Sequence, residues 1–138
     1  MTIAEKIRTI AAESRNASRA IARLSSGEKN DLLIAMADAL IAATPRLLEE
    51  NAKDLASAEK KGISSAMLDR LMLDDTRIRA MADGLREVAA LSDPVGEVTR
   101  MWKRPNGLMV GKMRIPLGVI GIIYEARPNV TADAAGIC

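Results

Sequence analysis

The chain has no phenylalanine and no histidine, and only one tryptophan, one tyrosine and one cysteine among 138 residues. Each scarcity excludes something. With one cysteine there is no internal disulfide, and Cys138 without histidines cannot assemble a four-ligand zinc set. A core with only Trp102 and Tyr124 as aromatics has to be filled by Ala, Leu, Ile and the eight Met. That composition favours helices packed closely through small residues. A surplus of one charge sign is also missing: 20 basic against 18 acidic side chains leave a net charge of +2, too little to steer nucleic acid globally. No apolar run approaches the ~20 residues needed to span a bilayer. The start, Met1-Thr2-Ile3-Ala4-Glu5-Lys6, lacks the apolar core of a secretory signal. A cytoplasmic location, with no nucleic-acid or membrane partner, is the economical expectation.

What is present is periodic. Thr2 and Glu5 have capping-box spacing, and Ile3, Ile7, Ile10, Ala17, Ile21 and Leu24 form a stripe, predicting a first helix to about Leu24. Ser25 and Glu28 repeat the spacing and open a second helix through Leu32, Leu33, Met36, Leu40 and Ile41. Thr44-Pro45 reads as a hydroxyl cap followed by proline at the first helical position. That third helix should end near Lys60-Lys61-Gly62, cations in its last turn and glycine beyond. A short helix is predicted over Ser65 to Leu71. Another, capped by Asp74 or Asp75, has Ile78, Met81, Leu85, Val88 and Leu91 on one face and stops at Asp93-Pro94. All these apolar stripes read as packing surfaces.

After Gly96 the period changes. Val98 to Lys103 and Leu108 to Ile115 read as strands joined across Arg104-Pro105-Asn106-Gly107, with Lys112 and Arg114 on one face and Met113 and Ile115 on the other. Leu117 to Tyr124 is an almost unbroken β-branched run, the pattern of a parallel strand buried on both faces. Glu125 to Asn129 would form a loop at its carboxyl end, where open α/β sheets bind ligands, with a helix over Val130 to Ile137. The expected fold class is α/β, in three parts: a helical layer over 1–96, a hairpin arm over 97–115, and the first strand, loop and helix of a nucleotide-binding sheet over 116–138.

Met109 to Cys138 resembles the gamma-glutamyl phosphate reductase family of the aldehyde dehydrogenase superfamily. Glu50-Asn51-Ala52-Lys53-Asp54-Leu55, Leu68-Asp69-Arg70-Leu71, Gly84 to Leu91 and Asp93-Pro94-Val95-Gly96 fit the same family. Family members are much longer, so the resemblance implies an amino-terminal portion of an enzyme and an incomplete aldehyde dehydrogenase-like fold. It implies reduction of L-glutamyl 5-phosphate by NADPH to L-glutamate 5-semialdehyde, through attack of a cysteine thiolate, loss of phosphate and hydride transfer to the thioester, a step of proline biosynthesis. It also implies a homo-oligomer, in which 97–115 helps build the subunit interface.

Site residues follow from the resemblance. Asn129 matches the superfamily's asparagine that donates to the developing oxyanion, although the usual Pro-Trp-Asn reads Arg127-Pro128-Asn129 here. The alternative is that Asn129 caps the helix opening at Val130, and one asparagine could do both. Ile123, Tyr124 and Glu125 lie where the superfamily's loop passes the cofactor, NADPH. Arg127 is the candidate for the substrate's phosphate or carboxylate, its alternative being a solvent-facing charge. Two readings are rejected. Gly118 and Gly121 lack the first glycine and the helix of a dinucleotide fingerprint. Cys138 should pack on a helix as a small hydrophobe, so the nucleophile is expected elsewhere. The rival reading of the whole chain is a catalytically inactive fragment serving as a binding or oligomerisation module. For the basic hairpin, with Arg100, Lys103, Arg104, Lys112 and Arg114, edge protection and solubility are favoured over entry into a nucleic-acid groove.

Overall fold

The computed structural model describes residues 1–125 and 127–138. In order, the elements are α1 (Ile3–Ile21), α2 (Ser26–Ala42), α3 (Thr44–Lys60), α4 (Ser65–Leu71), α5 (Asp75–Ala90), β1 (Val98–Lys103), β2 (Met109–Met113) and α6 (Asn129–Ile137). They fall into two compact units, one of residues 1–26 and 92–120 and the other of residues 27–91 and 121–138.

In the first unit α1 opens with the expected capping box. The Thr2 N–H donates to Glu5 Oε2 at 2.7 Å, and the Glu5 N–H donates to Thr2 Oγ1 at 3.2 Å. The helix closes at Ile21, and the chain reaches Leu24 through i→i+3 bonds, Arg23 N–H to Ala20 and Leu24 N–H to Ile21. The apolar stripe of α1 buries nothing: Ile3, Ile7, Ile10 and Ile21 are all exposed. The packing expectation for that stripe is therefore corrected, because no described residue of the unit covers it.

β1 and β2 pair antiparallel, with Arg100 opposite Lys112 and Trp102 opposite Val110. The hairpin closes through a three-residue loop, Pro105-Asn106-Gly107. Gly107 donates to Arg104 at 2.9 Å, and its φ of +87° is a left-handed geometry that glycine adopts at no steric cost. Asn106 Oδ1 accepts from the Leu108 N–H at 3.1 Å. Beyond the strands the ladder continues through Arg114 N–H to Glu97 and Gly96 N–H to Arg114.

The Leu117 to Tyr124 run is the main departure from expectation. It forms no strand, and Leu117, Val119, Ile120, Ile122 and Ile123 are all exposed. A strand is made by ladder partners, and among the described residues none lies beside it. Its composition suits a buried position that the described residues do not provide.

The second unit holds the core. From α5 it takes Ile78, Met81, Ala82, Leu85 and Ala89, from α2 Ala37 and from α6 Ala132, with Leu33, Met36 and Leu40 packed against it. Asp74 caps α5 by accepting the Arg77 N–H at 2.7 Å. Val88 is half-buried, and Leu91 is exposed because the helix has already ended at Ala90. The break at Thr44-Pro45 differs from the hydroxyl-cap reading. Thr44 is itself the first helical residue, and its hydroxyl donates back to Leu40 instead of capping α3. α3 ends as expected at Lys60, with Gly62 at φ +71°.

Small residues set the helix spacing, as the missing aromatics required. At Gly136 of α6 a Cβ would stand 2.5 Å from Leu85 Cδ2 and 3.6 Å from Leu33 Cδ2. Leu85 is 2% exposed, so it has little freedom to yield. Cys138 is exposed rather than packed on a helix face, since it follows the last residue of α6. None of the described helices is long and apolar enough to cross a membrane.

Gly136→Ala should lower stability by ~1–2 kcal/mol, overpacking outweighing the helix-propensity gain, as a lower urea midpoint at unchanged m-value. An unchanged or raised midpoint would show that α5 and α6 are not in contact there.

Candidate active site: the loop before α6 and the wall of α4–α5

The site-bearing loop lies in the second unit and runs into α6 at Pro128. Proline's ring holds φ near the helical value, here −60° with ψ −33°, so Pro128 already occupies the cap position with helical angles. Asn129 becomes the first residue of the helix. This corrects the reading of Asn129 as a cap on a helix from Val130, and no side chain caps this end. Instead the Asn129 amide, exposed, donates from Nδ2 to Asp133 Oδ2 at 2.9 Å, one turn along. The second Nδ2 proton remains available to a ligand.

The facing wall comes from α3, α4 and α5, and one buried polar residue organises it. Asn51 is 5% exposed. Its Nδ2 donates to the Leu71 carbonyl at 2.8 Å, and its Oδ1 accepts the Leu73 N–H at 2.8 Å. Both ends of one amide thus satisfy backbone groups left open where α4 ends. Arg77 grips the same turn from α5. Its guanidinium donates to the carbonyls of Asp69 and Met72 (2.8 Å to the latter), and pairs with the Asp69 carboxylate at 2.9 Å.

Two open clefts result. The smaller, about 430 Å³, brings Arg127, Asn129 and Asp133 together with Asp69, Arg70 and Arg77. The larger, about 780 Å³, is mostly apolar, lined by Met36, Leu40, Leu47 and Leu85 among others. Tyr124, Glu125 and Arg127 border it, with Glu50 and Asp54 from α3. The Tyr124 hydroxyl is tied to the Thr131 hydroxyl of α6. Glu50 is held below the ordinary carboxylate range, chiefly by its hydrogen bond from Lys53, which in turn is raised by Glu50 and Glu49. Glu50 therefore stands on that rim as an ionised carboxylate paired with Lys53.

Four of the five expected site residues thus line clefts. Arg127 faces both, Asn129 the smaller, Tyr124 and Glu125 the larger. Ile123 lines neither and is fully exposed. Sequence reasoning missed Asn51, Arg70 and Arg77 as builders of the site. For Asn51 a signal existed: it sits between Leu47 and Leu55 at i, i+4 spacing, a polar residue on an apolar helical row.

No protein-family model matches the chain. Individual relatives match it throughout. It is 77% identical over 138 residues to the gamma-glutamyl phosphate reductase of Geobacter metallireducens, and 56% identical over 138 residues to that of Moorella thermoacetica. The backbone agrees with the crystal structure of the Thermotoga maritima gamma-glutamyl phosphate reductase at a TM-score of 0.88 and 38% identity, over 91% of this chain and 30% of that one. Along its whole length the chain is similar to about one third of a gamma-glutamyl phosphate reductase. The Saccharomyces cerevisiae gamma-glutamyl phosphate reductase structure gives a TM-score of 0.85 at 32% identity, over 94% of this chain and 33% of that one. The chain spans about a third of the length of the curated reductases it matches, 33% for the Geobacter relative and all of this chain. The described residues are mostly helical with one antiparallel hairpin, consistent with an incomplete aldehyde dehydrogenase-like fold.

Asn51→Ala should cost ~2–4 kcal/mol, because two buried backbone groups lose their partner at once. Urea unfolding of the intact protein checks it. A loss under ~0.5 kcal/mol, the size typical of neutral surface changes, would mean the amide is not holding the turn.

Proposed function

We propose that the protein carrying this chain reduces L-glutamyl 5-phosphate with NADPH to L-glutamate 5-semialdehyde, releasing phosphate, as a cytoplasmic step of proline biosynthesis. The observation that supports this most is identity of 77% along every residue of the chain to a protein named gamma-glutamyl phosphate reductase. In this reading the attacking thiolate comes from a part of the reductase outside these residues, and Cys138 is not the nucleophile.

The chain's own groups have stated tasks. Asn129 offers its unused Nδ2 proton to the oxygen that gains negative charge when the acyl carbon becomes tetrahedral. A neutral amide does this without perturbing the thiolate, and its bond to Asp133 fixes its direction in advance. Arg127, beside it in the smaller cleft, pairs with the substrate anion through its planar fork.

Bound NADPH supplies the hydride. The fit of this chain to it is partial. Three carboxylates, Glu50, Asp54 and Glu125, and one guanidinium, Arg127, rim the larger cleft, which suits ribose hydroxyls and an apolar ring face better than a diphosphate. Tyr124 and Glu125 therefore take the ribose–nicotinamide end, and Ile123 contributes through its backbone. The run before Tyr124 becomes the first strand of the nucleotide-binding sheet within the complete protein. In this division residues 1–96 are the helical layer and 116–138 the start of that sheet. Residues 97–115 act as an oligomerisation arm, a role favoured by exposed Met101, Met109 and Met113 on the hairpin.

The test follows NADPH absorbance in the intact protein supplied with L-glutamyl 5-phosphate. Turnover is expected; its absence with correctly folded protein would overturn the assignment. Asn129→Ala should lower kcat by ~10²–10³ with the fold intact, the cost of one oxyanion donor. Turnover equal to wild type would remove Asn129 from the mechanism. Arg127→Lys should raise KM for the acyl phosphate by ~10-fold, the scale of a charge-assisted hydrogen bond, at unchanged Tm. An unaltered KM would assign Arg127 to solvent.

A further inference from the structure

We infer that the smaller cleft is a phosphoryl-binding subsite built by two arginines from distant parts of the chain, Arg70 of α4 and Arg127 of the loop before α6. The inference rests on the substrate role proposed above for Arg127, and adds to it a second cation and the identity of the group bound.

Charge accounting within the cleft carries the argument. Three arginines line it, Arg70, Arg77 and Arg127, against two aspartates, Asp69 and Asp133. Asp69 is neutralised by its ion pair with Arg77, whereas Asp133 accepts from the neutral Asn129 amide and keeps its charge. Arg77 is itself consumed by that pair and by the carbonyls of Asp69 and Met72. Arg70 and Arg127 have no ion-pair partner among the described residues, and with Asp133 the one carboxylate not held in an ion pair they leave the cleft with a surplus of one positive charge.

The wall behind Arg70 is fixed before any ligand arrives. Arg70 stands in the last turn of α4, beside the segment that Asn51 and Arg77 hold from two sides. The backbone that carries Arg70 therefore needs no ordering on binding, and only the side chain's own rotamer freedom is lost.

Two forks also select among anions. One guanidinium saturates a carboxylate through two parallel hydrogen bonds. A phosphoryl group offers three terminal oxygens and a charge of about −1.5 to −2, and so can engage a second fork. Of the two anionic groups on the proposed substrate, the phosphoryl group matches a pair of arginines. Asn129 lines the same cleft, so the proposed oxyanion donor and the proposed phosphoryl site share one wall, as neighbouring groups of one acyl phosphate require.

Calorimetric titration of the intact protein with inorganic phosphate, and separately with L-glutamate, tests this without relying on turnover. Arg70→Gln should weaken phosphate binding ~10- to 100-fold, the effect of losing a charge-assisted pair, and leave Tm and L-glutamate binding unchanged. Arg79→Gln, an exposed arginine of α5 outside both clefts, is the control and should bind phosphate as wild type does. The inference is overturned if Arg70→Gln binds phosphate like wild type or no worse than Arg79→Gln, or if it weakens L-glutamate and not phosphate. Kinetics separate this outcome from failure of the reductase assignment: an intact protein that binds phosphate through Arg70 yet oxidises no NADPH keeps the subsite and loses the reaction.

Discussion

One buried amide carries much of the geometry described above. Asn51 is the only buried polar side chain among the described residues, and it spends both ends on the turn that follows α4. Burying an amide costs several kcal/mol unless its hydrogen bonds are made, so the residue is tolerable only in the position where both are. That requirement fixes where Leu71 and Leu73 lie. It thereby fixes the shared wall of the two clefts, since Leu73 lines both. Arg77 adds a second grip on the same turn from α5, the helix that also supplies Ile78 and Leu85 to the core. Cleft wall and core share one helix, with Met81 and Leu85 belonging to both, so neither can shift without the other.

The close approach of α6 to α5 follows from the absences in the composition. With no Phe to fill space, α6 presents the small residues Ala132 and Gly136, and Gly136 lies directly against Leu85 of α5. That proximity brings the start of α6, with Asn129 and Asp133, to the cleft shared with α4 and α5. Composition thus reaches the site through packing distance.

Local signals were legible where their partners are local. The Thr2–Glu5 capping box, the Asp74 cap, the limits of α4, the Gly62 stop and the Pro105-Asn106-Gly107 loop are all decided within a few residues. Signals that require a distant partner failed or stayed hidden. The Leu117 to Tyr124 run has the composition of a buried strand, but pairing depends on neighbours that the described residues do not include. The α1 stripe is periodic in the same unfulfilled way, with Ile7 60% exposed. Asn129 was misplaced by one residue as a cap, because Pro128 already provides the helical geometry. Arg70 could not be singled out at all: its meaning depends on Arg127, 57 positions later, and on Arg77 having been spent elsewhere.

Amide hydrogen exchange at Leu73 in the intact protein tests the central claim most directly. Its N–H points inward to Asn51 Oδ1 at 2.8 Å, though it lies in an irregular turn between two helices. If the turn is pinned as described, Leu73 should be protected nearly as well as the core amides of Ile78 and Leu85, opening only when α3 and α5 separate. Exchange at the rate of an unstructured amide, with Ile78 and Leu85 still protected, would mean that the wall is not preformed, and the account of both clefts would fail with it.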